Sequence, residues 1–390
     1  MGLGTLPKSS IQRLMDKIQM VDLRGQYEKI KEEVDTAVLN VIQSTAFIRG
    51  PEVKSLEKEL QEYLSVKHVI TCGNGTDALQ IALMALDLKP GDEVITTSFT
   101  FIATVEVISL LGLVPIMVDI DPDTFNIDSE EMAKAITDKT KAIIPVHLYG
   151  QCADMESIMN MARENNLYVI EDAAQAIGAN YTFTDGSTKK AGTIGTIGCT
   201  SFFPSKNLGC FGDGGAIFTD DDALAEKLRI VANHGMRVKY YHDVIGVNSR
   251  LDNLQAAVLR IKLRNLDNYK KARNEAANYY DEAFKSSEQI KTPERHPSSD
   301  HAFHQYTLQI EGGGRDGLKE HLAHKDIPAM IYYPVPLHKQ MAFKNSEYVE
   351  PVLPVTDLLT EKVISLPMHT ELTEEQLKYI SESVLEFFNN

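Results

Sequence analysis

Short apolar runs and longer amphipathic segments alternate through the first half of the chain. Five runs have the length and composition of buried strands, and they lie at 68–71, 93–97, 114–118, 142–146 and 168–170. Ahead of them, apolar residues recur at three- and four-residue intervals over 27–42 and 52–64, which predicts two amphipathic helices. Strands separated by helical stretches predict a mostly parallel sheet with helices on both faces. In such sheets the functional side chains gather at the carboxyl ends of the strands.

The second half of the chain predicts more helix than strand. Helical patterns cover 220–231, 252–284, 315–323 and 374–387, and an apolar run at 305–310 predicts a strand. Gly312-Gly313-Gly314 is typical of a hairpin turn. We predict an α/β protein, with a large domain at residues 18–265 and a smaller C-terminal α+β domain at residues 266–390. Residues 1–17 are predicted to be a leader or a frayed extension.

Composition and charge restrict the choice of partners. The 390 residues are 43% hydrophobic and 24% charged, as in an ordinary globular chain, and carry a formal net charge of −16. This charge argues against nucleic acid and against an anionic membrane as the main partner, since both require a basic surface. An anionic small molecule would need positive charge concentrated at its binding site.

Cysteine spacing and hydropathy bear on metals and on location. The four cysteines, Cys72, Cys152, Cys199 and Cys210, show no CxxC spacing and no histidines at zinc intervals, so we predict neither a metal site nor a disulfide framework. The most apolar run, 107–118, is interrupted by glycine and proline and is too short to cross a bilayer. The chain opens without a secretory signal pattern, and we expect a cytoplasmic protein with reduced thiols.

The candidate chemistry centres on one lysine. Lys206 lies between the apolar run 198–203 and a glycine-rich loop that leads into another apolar run. A lysine in such a crowded, partly dry setting loses its proton more readily and becomes a usable nucleophile and base. The alternative is a surface lysine in a hairpin turn. Asp172 and Gln175 favour the first interpretation, because a carboxylate at the carboxyl end of a buried strand is typical of a site.

A glycine turn after the first predicted strand is a candidate phosphate site. Gly75 and Thr76 lie where this strand gives way to a helix, and the free N–H groups and dipole of a helix N-terminus suit a phosphate. Gly73-x-Gly75-x-x-Ala78 also satisfies a loose dinucleotide-binding pattern, so a Rossmann dehydrogenase is an alternative. That alternative predicts an acid at the end of the next strand, whereas the acids at 92–93 lie at its start, and it gives the lysine no role.

The order of phosphate turn, strand-end aspartate and lysine resembles the pyridoxal-phosphate aminotransferases of fold type I. Over nearly its whole length the chain is similar to the sugar aminotransferases of the DegT/DnrJ/EryC1/StrS family. The matching segments are Val21-Asp22-Leu23, Gly50-Pro51-Glu52-Val53, Gly75-Thr76-Asp77-Ala78-Leu79, Pro90-Gly91-Asp92-Glu93-Val94, Val146-His147-Leu148-Tyr149-Gly150, Glu171-Asp172-Ala173-Ala174-Gln175, Ser201 to Lys206, and Asn248-Ser249-Arg250-Leu251-Asp252. The resemblance implies that pyridoxal phosphate is attached to Lys206 and that Asp172 pairs with its pyridine nitrogen.

The same resemblance implies the remaining cofactor contacts. Gly75, Thr76 and Ser201 would hold the phosphate, and Gln175 would bind the ring hydroxyl. Phe101 would cover one face of the ring; a core phenylalanine is the alternative. Asn248 would reach the phosphate site of the neighbouring subunit, which implies an obligate homodimer with shared active sites.

Substrate contacts are expected from two later segments. Arg250 is a candidate contact for a carboxylate, on the amino donor or on a uronic acid, because its planar fork matches that group; the alternative is an ion pair with Asp252. Tyr332 and His338 belong to a proline-rich loop from which they are predicted to reach the substrate. His147 follows an apolar strand and is typical of a core histidine.

Within the family, the chain looks most like the enzymes that aminate UDP-2-acetamido-2-deoxy-3-oxo-glucuronate with L-glutamate for lipopolysaccharide O-antigen. The segments that carry this likeness are 148–154, 199–215 and 246–250. A dTDP-3-oxo-6-deoxyhexose aminotransferase is the alternative. Lys206 argues against the branch of the family that dehydrates sugars, which has histidine at this position. A noncatalytic nucleotide-sugar binder on the same fold would be expected to lose Lys206 or Asp172, and both are present.

Overall fold

The computed structural model describes residues 18–344 and 349–389, so the leader predicted at 1–17 lies outside the described residues. The helices are α1 Leu23–Ser44, α2 Pro51–Leu64, α3 Gly75–Ala85, α4 Ala103–Leu110, α5 Ser129–Lys134, α6 Met155–Glu164, α7 Asp222–Val231, α8 Asn253–Leu263, α9 Leu266–Phe284, α10 Arg315–His324, α11 Pro354–Lys362 and α12 Glu374–Asn389. The strands are β1 His68–Cys72, β2 Glu93–Thr97, β3 Val114–Val118, β4 Thr140–Ile144, β5 Tyr168–Asp172, β6 Asn180–Thr182, β7 Thr188–Lys190, β8 Ile197–Ser201, β9 Gly215–Thr219, β10 Met236–Val238, β11 Tyr241–His242, β12 Ile290–Lys291, β13 Ser299–Asp300, β14 Tyr306–Ile310 and β15 Val363–Leu366.

A seven-stranded sheet forms the centre of the molecule, in the order β1-β9-β8-β5-β4-β2-β3. In this sheet β8, β5, β4, β2 and β3 pair in parallel, and β9 runs antiparallel to both β8 and β1. The prediction of a mostly parallel sheet is confirmed, and all five predicted strands are present. The reversed strand β9 distinguishes this sheet from that of the dinucleotide-binding alternative.

Both faces of the sheet are covered by helices. On one face α3, α4 and α7 pack over a core that contains Ile70 and Leu228, and on the other face α2 and α8 pack over a core that contains Val69 and Leu259. The neighbours Val69 and Ile70 face opposite cores because side chains alternate along a strand. This double burial explains why the strands are continuous apolar runs and why their carboxyl ends carry the polar residues.

The C-terminal part of the chain has a core of its own. Helices α9, α10 and α12 pack with the antiparallel sheet β12-β14-β15 around buried residues that include Tyr280, Leu308 and Ile380. The helix predicted over 252–284 is in fact two helices, α8 and α9. They separate at Asn265, whose side-chain amide donates to the Ile261 carbonyl at 3.1 Å, a local bond that competes with helix continuation.

The hairpin predicted at the glycine triplet is wrong. Gly312, Gly313 and Gly314 join strand β14 to helix α10, and all three have positive φ angles between 73° and 93°. A glycine in the sequence indicates that the backbone can be left-handed there, but it does not predict whether a strand or a helix follows the turn. Within residues 18–344 and 349–389, no helix has the length and hydropathy that crossing a membrane requires.

A buried aspartate connects the large sheet to helix α11. Asp119, directly after β3, accepts hydrogen bonds from the Val355 N–H at 2.9 Å, from the Thr356 N–H at 2.8 Å and from the Thr356 hydroxyl at 2.7 Å. These N–H groups belong to the first turn of α11, where no intrahelical acceptor is available. Asp119 therefore caps α11 from a distant part of the chain, and α11 in turn packs against the loop that contains Tyr332.

Replacing this cap is expected to destabilise the protein. Asp119→Ala leaves buried donors without an acceptor, at a cost of about 2–3 kcal/mol. For a chain of this size we expect the thermal unfolding midpoint to fall by roughly 3 °C. The matched control is Asp316→Ala, which removes a carboxylate that is 80% exposed and is expected to leave the midpoint unchanged. Equal midpoints for the two variants would contradict the capping role.

Candidate active site

Lys206 lies in the loop between β8 and β9, and its side chain is partly buried. The loop is anchored on both sides of the lysine by Phe202 and Leu208, which are fully buried. Burial lowers the pKa of Lys206 to about 8, and the Asp172 carboxylate partly offsets this effect. The lysine does occupy a hairpin connection, but it is a desolvated amine and not the surface lysine of the alternative interpretation.

Asp172 ends strand β5 and is 6% exposed. Its Oδ2 accepts a hydrogen bond from the Thr104 hydroxyl at 2.8 Å, and its Oδ1 accepts from the Ala174 N–H at 3.2 Å. Both contacts hold the carboxylate in one orientation. Thr104, in α4, was not identified from the sequence, since a threonine within an apolar helix carries no pattern of its own.

Gln175 has a defined amide orientation. Its Oε1 accepts from the Tyr149 N–H at 2.7 Å, so its Nε2 faces the other way and donates to the Tyr333 hydroxyl at 3.3 Å. The side chain is buried. Gln175 thus presents hydrogen-bond donors on the side of Tyr333. Sequence reasoning missed Tyr149 and Tyr333, which reach the site from loops that are far apart in the chain.

The predicted phosphate turn meets β8 at close range. A Cβ atom on residue 75 would lie 2.7 Å from the Ser201 Cβ, so only glycine permits this approach. The side chain of Asn74 accepts from the Asp77 N–H at 2.8 Å and caps α3, which makes Thr76 the second helical residue and not the cap. The structure therefore brings Gly75, Thr76 and Ser201 together at a helix N-terminus.

Phe101 follows β2 and is 55% exposed, so the core interpretation of this residue is wrong. Its ring lies 6.4 Å from that of Tyr333 at an angle of 41°. The open ring face is available to a planar ligand at the carboxyl edge of the sheet.

His147 is a core histidine, as its position after a buried strand indicates. It is fully buried, its Nε2 lies 2.8 Å from Glu171 Oε2, and its Nδ1 accepts from the Ala153 N–H. Glu171 also accepts from three backbone N–H groups, those of Gly192, Ile194 and Gly195. This carboxylate is satisfied inside the protein and faces away from Asp172, because neighbouring strand residues point to opposite faces.

The segment from Asn248 to Arg250 lies beside the phosphate turn. Ser249 Oγ accepts from the Gly73 N–H at 2.8 Å and donates to Asp77 at 2.6 Å. Asn248 is exposed. Arg250 forms no ion pair with any residue in 18–344 or 349–389, so the predicted alternative, a pair with Asp252, is absent. Instead it lines a cavity of about 400 Å³.

The two residues predicted in the proline-rich loop have different environments. Tyr332 is partly exposed, and its carbonyl accepts a hydrogen bond from the Tyr149 hydroxyl. His338 is fully buried, with its Nδ1 2.7 Å from Ser98 Oγ and its Nε2 3.3 Å from Asp357 Oδ1. The predicted substrate contact of His338 is therefore corrected to a structural role, because its buried ring nitrogens face Ser98, directly after β2, and Asp357 in α11.

These side chains fit pyridoxal phosphate. The desolvated Lys206 amine interacts with the Asp172 carboxylate, whose orientation is fixed. The Gln175 amide follows the same strand, and glycine is required at residue 75, where a helix N-terminus meets Ser201. With the sheet order described above, they define the class of pyridoxal-phosphate-dependent transferases of fold type I. The chain belongs to the DegT/DnrJ/EryC1/StrS aminotransferase family, which it matches over residues 28–385.

Members of this family that are similar to the chain are named for different functions. A pleiotropic regulatory protein of Geobacillus stearothermophilus is 48% identical over 96% of this chain and 99% of its own length. The UDP-2-acetamido-2-deoxy-3-oxo-D-glucuronate aminotransferase of Pseudomonas aeruginosa is 45% identical over 93% of this chain and 98% of its own length. The dTDP-3-amino-3,4,6-trideoxy-alpha-D-glucose transaminase of Streptomyces venezuelae is 38% identical, over 95% and 96% respectively.

Solved structures agree on fold and cofactor. A Brucella abortus aminotransferase of the same family has a TM-score of 0.90 and 43% identity, and the match covers 96% of this chain and 100% of that one. The ntda protein of Bacillus subtilis, with bound cofactor PMP, has a TM-score of 0.86 and 31% identity, covering 100% and 86%. The chain is a sugar aminotransferase that uses pyridoxal phosphate.

The lowered pKa of Lys206 predicts that its amine is chemically labelled at a lower pH than the amine of an exposed lysine. In cofactor-free protein, an amine-directed reagent should modify Lys206 with a midpoint near pH 8, because below that pH the amine is protonated and unreactive. Exposed Lys227 is the internal control, since its hydrogen bond to Asp87 raises its pKa. Peptide mass spectrometry across a pH series gives both midpoints. If Lys206 is labelled only at the pH at which Lys227 is labelled, its desolvation is refuted.

Proposed function

We propose that this chain transfers the amino group of L-glutamate to a 3-oxo nucleotide-sugar, namely UDP-2-acetamido-2-deoxy-3-oxo-D-glucuronate, for cell-surface polysaccharide such as O-antigen. The observation that carries the proposal is a desolvated Lys206 whose amine interacts with Asp172, in a chain that also has a cavity lined by four arginines, among them Arg250. The relative from Pseudomonas aeruginosa, named for this substrate, supports it. The proposal includes a boundary between the large domain and the smaller C-terminal domain near residue 265.

The roles of the cofactor-site residues follow from their chemistry. When bound, pyridoxal phosphate supplies an aldehyde carbon and a ring that accepts electrons. Lys206 attaches the cofactor and, once released, moves a proton to and from the reacting carbon, because its lowered pKa leaves a neutral amine near neutral pH. Asp172 keeps the pyridine nitrogen protonated, and the Gln175 amide donates to the ring hydroxyl.

Phosphate binding is proposed to use two subunits. Gly75, Thr76 and Ser201 supply backbone and hydroxyl donors at the start of α3. Asn248 is exposed beside this turn, in position to serve a second copy of the chain. Two strongly exposed apolar side chains lie close to this segment: Ile245 precedes Asn248 by three residues, and Ile48 pairs with Asp252. A second copy of the chain would cover them, which favours a homodimer.

A cluster of arginines supports an anionic substrate. Arg49, Arg229, Arg237 and Arg250 line the cavity of about 400 Å³. Arg229 lies 3.6 Å from Glu57 and Arg237 lies 3.3 Å from Glu226, whereas Arg49 and Arg250 form no ion pair within the described ranges. Burial, followed by the neighbouring charge of Arg250, lowers the pKa of Arg49. An anion in this cavity would relieve that repulsion, and a uronate carboxylate matches the guanidinium fork.

Two alternatives have their own support. The Streptomyces venezuelae relative favours a dTDP-linked deoxyhexose, which lacks the uronate carboxylate and would leave Arg250 without a substrate partner. The relative named as a pleiotropic regulatory protein favours a noncatalytic role on the same fold. Lys206 and Asp172 argue for catalysis, because a binding protein has no use for a desolvated amine.

Removal of the amine separates catalysis from binding. Lys206→Met should abolish both turnover and the shift of the near-ultraviolet or visible absorbance band on addition of glutamate, because the nucleophile is lost. Lys262→Met is the matched control. Lys262 is also buried, with its pKa lowered to about 8 by burial, but it lies under the Phe211 ring and outside the site. Full activity of Lys206→Met would refute the enzyme assignment.

Substrate preference can be measured with paired sugars. With glutamate as donor, initial rates on the UDP-linked 3-oxo-uronate are compared with rates on a dTDP-linked 3-oxo-6-deoxyhexose. Arg250→Gln should raise the KM for the uronate about 10- to 100-fold, as expected for a lost charge-assisted pair, without changing the KM for the deoxyhexose. Arg237→Gln, in the same cavity but paired with Glu226, is the control. Reaction with the deoxyhexose alone would overturn the proposed substrate.

A further inference from the structure

A buried serine contacts both ends of the proposed phosphate turn. Ser249 is 2% exposed and belongs to the segment between β11 and α8. Its Oγ accepts a hydrogen bond from the Gly73 N–H at 2.8 Å and donates one to Asp77 Oδ2 at 2.6 Å. Gly73 directly precedes residues 74–76 of the turn, and Asp77 directly follows them. One hydroxyl therefore joins the two ends of the turn.

The hydroxyl suits this bridge because it is both a donor and an acceptor. It carries one proton and two lone pairs, so Ser249 can accept from a backbone N–H and donate to a carboxylate at the same time. The bond to Asp77 is charge-assisted, which makes it the stronger of the two. An alanine at residue 249 would leave the Gly73 N–H without this acceptor and Asp77 without this donor.

Glycine at residue 73 allows the three groups to meet. A Cβ atom at this position would lie 3.0 Å from Asp77 Oδ2 and 3.3 Å from Ser249 Oγ, so a larger residue would push the carboxylate and the hydroxyl away. The pair of glycines that satisfies a loose dinucleotide-binding pattern thus has another physical basis in this protein. Gly73 makes room for Ser249 and Asp77, and Gly75 makes room for Ser201.

The backbone around Ser249 is held independently of the turn. The Ser249 N–H donates to the Ala232 carbonyl at 3.1 Å, and the Val247 N–H donates to the Val231 carbonyl at 2.8 Å, both at the end of α7. Leu251 is 1% exposed and belongs to the core under α2 and α8. Because the serine is fixed on these other sides, its hydroxyl can hold the turn in place.

The turn presents two N–H groups that a phosphate can use. The Asn74 side chain accepts from the Asp77 N–H at 2.8 Å, whereas Gly75 and Thr76 are the first two residues of α3 and find no acceptor within the helix. Within residues 18–344 and 349–389 no other group accepts from these two N–H groups. Their direction depends on how the two ends of the turn are held.

We propose that Ser249 is a positioning residue for the cofactor phosphate: its hydroxyl closes the turn between Gly73 and Asp77 and so orients the Gly75 and Thr76 N–H groups toward the phosphate. The inference rests on the proposed phosphate site. Ser249 acts through the turn and makes no contact with the phosphate, because its hydroxyl is engaged at both ends of the turn. No bond is made or broken at Ser249.

The test compares two ligands that differ only in the phosphate group. Pyridoxamine phosphate and pyridoxamine carry an amine in place of the aldehyde, so they bind cofactor-free protein without a covalent bond to Lys206. Calorimetric titration gives both dissociation constants, and their ratio isolates the phosphate contribution. Ser249→Ala should reduce the preference for pyridoxamine phosphate about tenfold, with the affinity for pyridoxamine unchanged. An unchanged preference, or an equal loss of affinity for both ligands, overturns the proposal.

A serine outside the candidate site supplies the matched control. Ser299, in β13, is 8% exposed, and its Oγ also accepts from a backbone N–H, that of Cys152, at 2.9 Å. Ser299→Ala therefore removes a buried acceptor of the same kind and should keep the wild-type preference for the phosphate. A loss equal to that of Ser249→Ala would show a general effect of destabilisation and would contradict the positioning role.

A second variant tests the bridge from its other end and serves also if Ser249→Ala does not fold. Asp77→Ala removes the group to which the Ser249 hydroxyl donates. Loss of a negative charge beside the turn would by itself strengthen the binding of an anion. Loss of the bridge should instead weaken the binding of pyridoxamine phosphate several-fold. Tighter or unchanged binding of pyridoxamine phosphate in Asp77→Ala overturns the proposal.

Gly75→Ala separates this inference from the proposed function. Its Cβ would lie 2.7 Å from the Ser201 Cβ, so the preference for the phosphate should disappear if the phosphate binds at this turn. A preference that survives in Gly75→Ala would refute the proposed cofactor site. A preference lost in Gly75→Ala but kept in Ser249→Ala would refute the role of Ser249 alone.

Discussion

Keeping one amine partly out of water is the condition on which the rest of the site depends. Lys206 is desolvated because the loop that carries it is held by buried Phe202 and Leu208 against the sheet. Burial moves its pKa to about 8, and Asp172 limits that change. An ammonium with its ordinary pKa would be a poor nucleophile near neutral pH, so the packing of this loop prepares the residue for its chemistry.

The sheet supplies the geometry that this amine needs. Asp172, Thr76 and Phe101 come from elements widely separated in sequence, and they meet because the carboxyl ends of parallel strands lie at one edge. Antiparallel β9 then returns the chain beside β1 and places the phosphate turn next to Ser201, where only glycine fits at residue 75. Supporting residues such as Thr104 and Tyr149 fix the orientation of the Asp172 and Gln175 side chains.

Charge is distributed unevenly in this acidic protein. The chain carries a formal net charge of −16, yet four arginines line one cavity and two of them lack ion pairs in the described part of the chain. Such local positive charge favours the approach of an anion to a surface that would otherwise repel it. The negative charge of buried Glu171 is balanced by hydrogen bonds from the protein interior, and it is not directed toward the site.

The sequence by itself determined the α/β class and the strand positions, because periodicity is a local property, and its resemblance to the family determined the cofactor. Lys206 and Asp172 stay its prediction for the catalytic residues. It could not determine which groups are buried together. His338 was expected at the substrate and is instead enclosed against Ser98, the glycine triplet joins a strand to a helix, and Tyr333 enters the site without a signal in the chain. Contacts between residues far apart in sequence arise only when strands, helices and the C-terminal part pack together, and desolvation and ion pairing are set at that stage.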